Sequence, residues 1–437
     1  MSSNLTGRKT LVLSLAAFFL FLPGVVDTQE PEVHLEIRTS EVRSITVYVA
    51  RFSAPESEGA RVFARRLQEV VTSDLDRSGF FKIVQIPVSD VEPFLQQRKQ
   101  ERGLVEEVIV EGKAFLEGGR IVFEGKLHEI ESRKLIVNKR YRFSEHALRR
   151  GAHRFSDEIV LQLTGERGIA STSIAFVSAE SGTKEVYVMD YDGHGRKQIT
   201  AEKSLCLSPA WSPDGLKIAY TSYSRGNPDL HVVGRYGGQP QTLSSYTGLN
   251  SSPAWSPDGS QVALTLTKDG NAEIYVVNAD GSGLRRLTRH LAIDSSPCWA
   301  PNGRQLAFTS DRRGNPQIFV MEADGSNVRR LTLQGAYNDS PAWSPKGDRI
   351  AYASRLGNYF QIFVMDIAGM TAVQLTDNRG NNENPGWSPD GRQIVFSSSV
   401  RGKRDIYVMN ADGSNVRRLT NGGDNFNPSW SPRPGEE

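Results

Sequence analysis

The chain has 437 residues, with 52 Lys and Arg against 50 Asp and Glu. That length exceeds one ordinary core and fits two or three domains. A formal net charge of +2 provides no basic surplus for a nucleic-acid face, so that class of partner is excluded.

Arg8 and Lys9 precede an apolar run from Leu11 to Leu22, which Pro23 and Gly24 end. Such a run is too short for a bilayer core, which takes about 20 residues, but it suits the h-region of an export signal. Residues 1–28 are therefore expected to be a signal peptide, cleaved between Gly24 and Gln29. No other long apolar run follows, so the mature chain should be soluble, without direct membrane insertion. Residues 29–42 form an N-terminal arm. In it Val33, Leu35 and Ile37 alternate with polar residues. That pattern suits a strand added to a partner's sheet edge, or an ordinary first strand of the following domain.

Residues 43–165 read as an α/β domain. Ser44–Phe52 alternates as a strand, and Ser57–Ser78 places Val62, Leu67, Val70, Val71 and Leu75 on one helical face. Gly79 sits where helices end in a left-handed residue. Strands follow at Phe80–Ile86, Glu107–Leu116, Gly119–Glu129 and Lys134–Tyr141, and Ser144 is placed to cap a last helix reaching Leu163. The strand-to-helix crossing at Ser53–Gly59 lacks a phosphate-binding glycine pattern.

From residue 166 to 437 the chain repeats. Trp211, Trp255, Trp299, Trp343, Trp387 and Trp430 advance by 44, 44, 44, 44 and 43 residues. Ile174, Ile218, Val262, Leu306, Ile350 and Ile394 keep the same step, as do two further apolar series. Each unit holds four short β-rich runs, with Asp-Gly turns such as Asp258-Gly259 and Asp280-Gly281. Four strands in about 40–45 residues is a propeller blade. The first unit lacks its first strand, and the tryptophan strand at the C-terminus lacks a blade, so the two should complete each other. The fold expected is an N-terminal α/β domain followed by a C-terminal six-bladed β-propeller. Its tryptophans should pack between blades. The doublets Arg285-Arg286, Arg329-Arg330 and Arg417-Arg418 should face solvent on outer strands.

Catalytic and metal signatures are sparse. No G-x-S-x-G pentapeptide occurs, and no two of the seven histidines form H-x-H or H-E-x-x-H. His146 and His153, seven apart, could share a helix face, but Gly151 lies between them; lacking a third ligand, a helix-surface role is expected for the pair over a metal site. Cys206 and Cys298 belong to non-adjacent blades, beyond the roughly 7 Å that a disulfide spans, so both should be free, mostly buried thiols. No metal, cofactor or catalytic residue is expected. A propeller-domain hydrolase and a ligand-sensing propeller remain the alternatives to a binding scaffold.

The repeat Pro-Ala-Trp-Ser-Pro, continued by Asp405-Ile-Tyr-Val-Met-Asn-Ala-Asp-Gly-Ser-Asn-Val-Arg-Arg-Leu-Thr420, and the stretches Ala152–Ile159, Leu163–Glu166 and Arg77–Phe81 resemble the TolB family. That resemblance implies a periplasmic scaffold of the Tol–Pal system, which maintains outer-membrane integrity and supports constriction at cell division. It implies a monomer with two protein partners. Pal lipoprotein would dock on the propeller mouth, and the TolA C-terminal domain on the arm, here at Val33, Leu35 and Ile37. The mouth corresponds to the loops before the tryptophan strands, which vary while the strands repeat. Its candidate residues are Tyr246, Asn250, His290, Asp294, Tyr337, Asp339, Asn382, Glu383, Asn425 and Phe426. Tyr246, His290, Tyr337 and Phe426 are expected to be exposed, as interface aromatics are, although solvated loop positions would look the same.

Overall fold

The computed structural model describes residues 45–55, 57–89, 91–100, 107–368 and 370–435. The expected signal peptide and the expected arm with Val33, Leu35 and Ile37 lie outside the described residues. Among the described residues no helix is long and apolar enough to cross a membrane.

The α/β region is a five-stranded sheet in the order β2-β1-β3-β4-β5. Its strands are β1 (Ile45–Ala50), β2 (Phe81–Ile86), β3 (Glu107–Glu117), β4 (Arg120–Glu129) and β5 (Leu135–Phe143). β1 runs parallel to both neighbours, while β3, β4 and β5 form an antiparallel meander. Helix α1 (Glu58–Arg77) starts at Ser57, whose hydroxyl accepts the Ala60 N–H at 3.4 Å. Its buried face, with Leu67, Val71 and Leu75, meets Phe123 and Phe155 in the main core.

Three details depart from the sequence reading. A helix, α2 (Glu92–Gln100), occupies a stretch to which no element was assigned, and its Leu95 covers the second sheet face against Tyr48 and Ile109. Ser144 makes no side-chain cap bond; it heads a 3-10 turn (Glu145–Ala147) that leads into α3 (Leu148–Thr164). His153 is not on the helix surface. It is 2% exposed, because Gly151 does not break α3. A Cβ there would stand 2.3 Å from the Phe143 ring, so glycine admits that ring against the helix.

Six four-stranded antiparallel sheets follow. Their first strands pack against one another around the axis. Blade one combines Ser173–Ser178, Glu185–Asp190 and Lys197–Gln198 with the C-terminal strand Asn425–Trp430. The closing register pairs Asn425 with Ser178 and Trp430 with Ile174. Every first strand bulges at its proline, the position at which a sheet tolerates a missing N–H. The residue before each proline is left-handed, with φ 52° at Ser208 and 48° at Asn427.

The tryptophans end the first strands and pack between blades. Trp211, Trp299 and Trp387 donate their indole N–H to carbonyls of the preceding first strand, at Ser429 (3.2 Å), Ala254 (3.1 Å) and Ala342 (3.0 Å). Trp430 donates to Thr172 Oγ1 at 2.8 Å. Trp255 and Trp343 are only half-buried. The arginine doublets form the short outer strands. Both cysteines are free; Cys206 is buried and Cys298 half-buried.

Ions bind the α/β region to the propeller. Asp74 of α1 takes His153 Nδ1 at 2.8 Å and the Tyr191 hydroxyl at 2.8 Å. Arg149 of α3 pairs with Asp192, and Arg77 stands 3.7 Å from the same carboxylate. Gln393 of blade six donates to the Arg77 carbonyl at 2.8 Å, and the Arg392 guanidinium lies 3.8 Å from the Phe80 ring centre. The connecting segment wraps Asp157, which accepts the N–H groups of Ala170 (2.7 Å) and Ser171 (2.9 Å). Burial raises the Asp157 carboxyl to about 6, against the pull of those bonds.

Two measurements check this account. Trp430→Ala should cost about 3–5 kcal/mol in urea unfolding. Trp255→Ala should cost less, because that ring is partly exposed and its indole N–H has no partner among the described residues; equal losses would contradict the closure described. The second concerns pH. Burial lowers the His153 pKa, but the carboxylate of Asp74, with Asp192 and Asp190 behind it, raises it above the ordinary value. A raised folded pKa favours the proton-bound fold. The stabilisation is complete below the unfolded imidazole value of about 6.5 and is lost as pH climbs through the folded value. The wild-type melting temperature should therefore fall more steeply above that pH than that of His153→Gln.

Candidate propeller mouth

Antiparallel blades put two loop sets on one end of the ring: those before the first strands and those between second and third strands. The first set contains the sequence candidates; the second was not anticipated. Hydrogen bonds clasp the two sets together. Asn227 Nδ2 donates to the Tyr246 carbonyl at 3.0 Å and Asn227 Oδ1 accepts the Gly248 N–H at 3.0 Å. Asn271 Nδ2 reaches the carbonyls of His290 (2.7 Å) and Ala292 (2.8 Å). Arg404 forks onto Asp424 at 2.8 and 2.6 Å, which holds that carboxyl below its usual range.

Asn250, Asp294, Asn382 and Asn425 are fully buried, and so are not the contact residues that the sequence reading made them. They open the first strands and tie each blade to the next. Asn382 Nδ2 donates to Gln361 Oε1 of the preceding blade's third strand at 2.9 Å. Gln361 also takes the Thr376 hydroxyl at 2.7 Å, and Thr376 Oγ1 accepts the Ile362 N–H at 2.9 Å. The same triad recurs as Gln317, Thr332 and Asn338, and as Asp405, Thr420 and Asn425. Asn250 instead spends its amide on the carbonyls of Pro228, Tyr246 and Gly248. Asp294 pairs with Arg312 at 2.7 Å, and burial raises its carboxyl. Phe426 is buried too, roofed by Arg404 at 3.7 Å and Lys184 at 5.2 Å.

The other candidates reach the surface to different degrees. His290 is exposed, and Tyr246 is 41% exposed with Lys268 5.6 Å from its ring centre. Tyr337 is half-buried, edge-on to Phe360 at 5.3 Å. Asp339 is half-buried and accepts Thr309 Oγ1 at 2.7 Å. Glu383 is half-buried; burial raises its carboxyl while Arg404 draws it down. The residues that stand furthest out were missed. Leu291 is 99% exposed, Leu333 69% and Ile293 53%. The repeat itself carries the signal: at the step of 44, Leu291 replaces Lys203, Thr247, Gly335 and Arg379. Exposed arginines stand on the loops at the same end of the ring, among them Arg225, Arg313, Arg379 and Arg401.

Two polar clusters could be mistaken for chemistry. Glu202 accepts His231 Nδ1 at 3.3 Å and the hydroxyls of Ser222 and Tyr220. Burial would raise that carboxyl, but these bonds bring it down to about 2, so it accepts hydrogen bonds and does not act as a base. Burial pushes the nearby Cys206 thiol up, away from a reactive thiolate. Elsewhere Asp74, His153 and Asp192 offer ligand atoms within 4.8 Å of one another. Arg149 already pairs with Asp192 and stands 3.7 Å from Asp190, Arg77 stands 3.7 Å from Asp192, and Asp74 takes His153 Nδ1 and the Tyr191 hydroxyl, so these carboxylates are engaged within the protein.

The family model for the TolB beta propeller domain matches residues 160–362 and 339–436. The chain belongs to the TolB propeller family. A Tol-Pal system protein TolB from Geobacter sulfurreducens is 42% identical over 200 residues, 45% of this chain and 46% of that protein. A protein TolB homolog from Chlorobium chlorochromatii is 36% identical over 213 residues, 47% of this chain and 48% of that protein. The chain thus spans about half the length of the curated relatives it matches. The crystal structure of TolB from Acinetobacter baumannii superposes with a TM-score of 0.76 at 26% identity, covering 89% of this chain and 97% of that one. As in that relative, an N-terminal region precedes the TolB propeller.

Asn382→Ala should cost about 1–3 kcal/mol by leaving buried acceptors unpaired. Urea unfolding reads that loss, whereas Leu291→Ala should unfold within about 0.5 kcal/mol of wild type.

Proposed function

We propose that this chain is a non-catalytic periplasmic scaffold of the Tol–Pal system, exported by its N-terminal signal. Pal lipoprotein docks on the mouth, and the TolA C-terminal domain takes the arm through Val33, Leu35 and Ile37. The complex maintains outer-membrane integrity and supports constriction at division. The observation that carries this reading is Leu291, fully exposed with Ile293 and Leu333 on the loop end of a TolB-family propeller. An apolar side chain held out on a rigid ring is an interface anchor. Tyr246 and His290 flank it. The arginines at the same end of the ring fit an acidic rim on the partner and would speed encounter at low salt.

Calorimetric titration with the soluble domain of Pal tests the mouth. Leu291→Asp with Ile293→Asp should weaken binding by about 2 kcal/mol or more, with melting unchanged. Unchanged affinity would remove Pal from this face. Deleting residues 30–39 should abolish binding of the TolA domain and leave Pal binding measurable.

A further inference from the structure

A cavity of about 740 Å³ opens on the opposite end of the propeller, between α3 and blades one and two. Its charge is lopsided. Arg150 from α3, Lys197 and Arg235 from the blades and Arg433 from the C-terminal segment line it. Among the described residues none of the four has a carboxylate within ion-pair distance. Lys197 Nζ donates to the Tyr236 carbonyl at 3.0 Å. Arg433 spends its guanidinium on the carbonyls of Gly168, Pro389 and Arg167. Arg235 lies over the Tyr236 ring, 5.1 Å from its centre. The two acids in the wall are already engaged. Asp190 stands 3.7 Å from Arg149 Nε, and Asp214 accepts Ser212 Oγ and the Leu216 N–H.

Deep in the same wall, His153 Nε2 is buried and has no hydrogen-bond partner, its nearest carboxylate, Asp190, being 3.9 Å away. The other ring nitrogen is fixed on Asp74. With Nδ1 on Asp74, the protonated imidazole carries a second, buried N–H at Nε2 that has no partner; an unpaired buried donor is costly, so an acceptor in the cavity would relieve it. Val188 and Ile199 add apolar wall beside these donors.

We propose that this cavity binds a small organic oxyanion, a carboxylate or phosphate on an apolar body. The anion accepts from His153, Arg150 and Arg235, and its body lies on the Val188 side. Because α3 and the blades both line the cavity, the ligand also fastens the α/β region to the propeller.

Calorimetry and thermal melting on the full chain test this, with phenyl phosphate and phthalate as probes, inorganic phosphate as the bare anion and benzyl alcohol as the neutral body. Saturable binding of phenyl phosphate, phthalate or both, weakening with salt, is expected, and the stronger of the two identifies the anion. Benzyl alcohol should not bind. Arg150→Glu with Arg235→Glu should weaken binding about tenfold or more while melting as wild type does without ligand. Leu291→Asp should bind the probes unchanged, so failure here is separable from failure at the mouth. No saturable binding of either probe at millimolar concentration would overturn the proposal. So would binding indifferent to the two charge reversals.

Discussion

The ring closes on one pairing. Blade one has its three outer strands near residue 180 and its innermost strand at residues 425–430. Without Asn425–Trp430, Ser173–Ser178 would present an open edge to the axis, and sheet edges recruit other strands. With it, Trp430 reaches Thr172 at the start of the same blade, and Trp211 of blade two bonds the Ser429 carbonyl. The last strand therefore serves two blades at once, and both stacking and mouth geometry rest on it.

Much of the fold was legible because a repeat states its own register. Six tryptophans at a near-constant step located every first strand, and Asp-Gly turns separated the rest. What escaped was held by partners far apart in sequence. Helix α2 has few apolar residues, and only the exposed second face of the sheet gives Leu95 something to cover. His153 was assigned to the helix surface because no third metal ligand stood near it in the sequence. Gly151 is room for Phe143, and the helix continues through it into the ionic joint.

The mouth shows the same limit. Position in the repeat located the loops that precede the first strands, but polarity misled within them. Asn and Asp at first-strand starts look solvent-facing in a sequence, yet they are buried, and Asn338, Asn382 and Asn425 form triads with a third-strand Gln or Asp and a threonine 15 residues after it. Only the triad's recurrence at the 44-residue step could have revealed it. Leu291 was readable by the opposite test, as the position where an otherwise polar or glycine column turns apolar.

The closing strand also sets an order of events. A chain growing from its N-terminus can complete the α/β sheet and stack five blades while its tail is still missing. Blade one cannot be finished then, and it is this blade that carries Tyr191 and Asp192, the propeller's half of the ionic joint. Blade six, with Gln393 and Arg392, can meet the α/β region before that, but the blade-one side of the joint stays on an unfinished sheet until Asn425–Trp430 pairs. A molecule cut short before Asn425 would hold its ionic joint on a blade with an open inner edge.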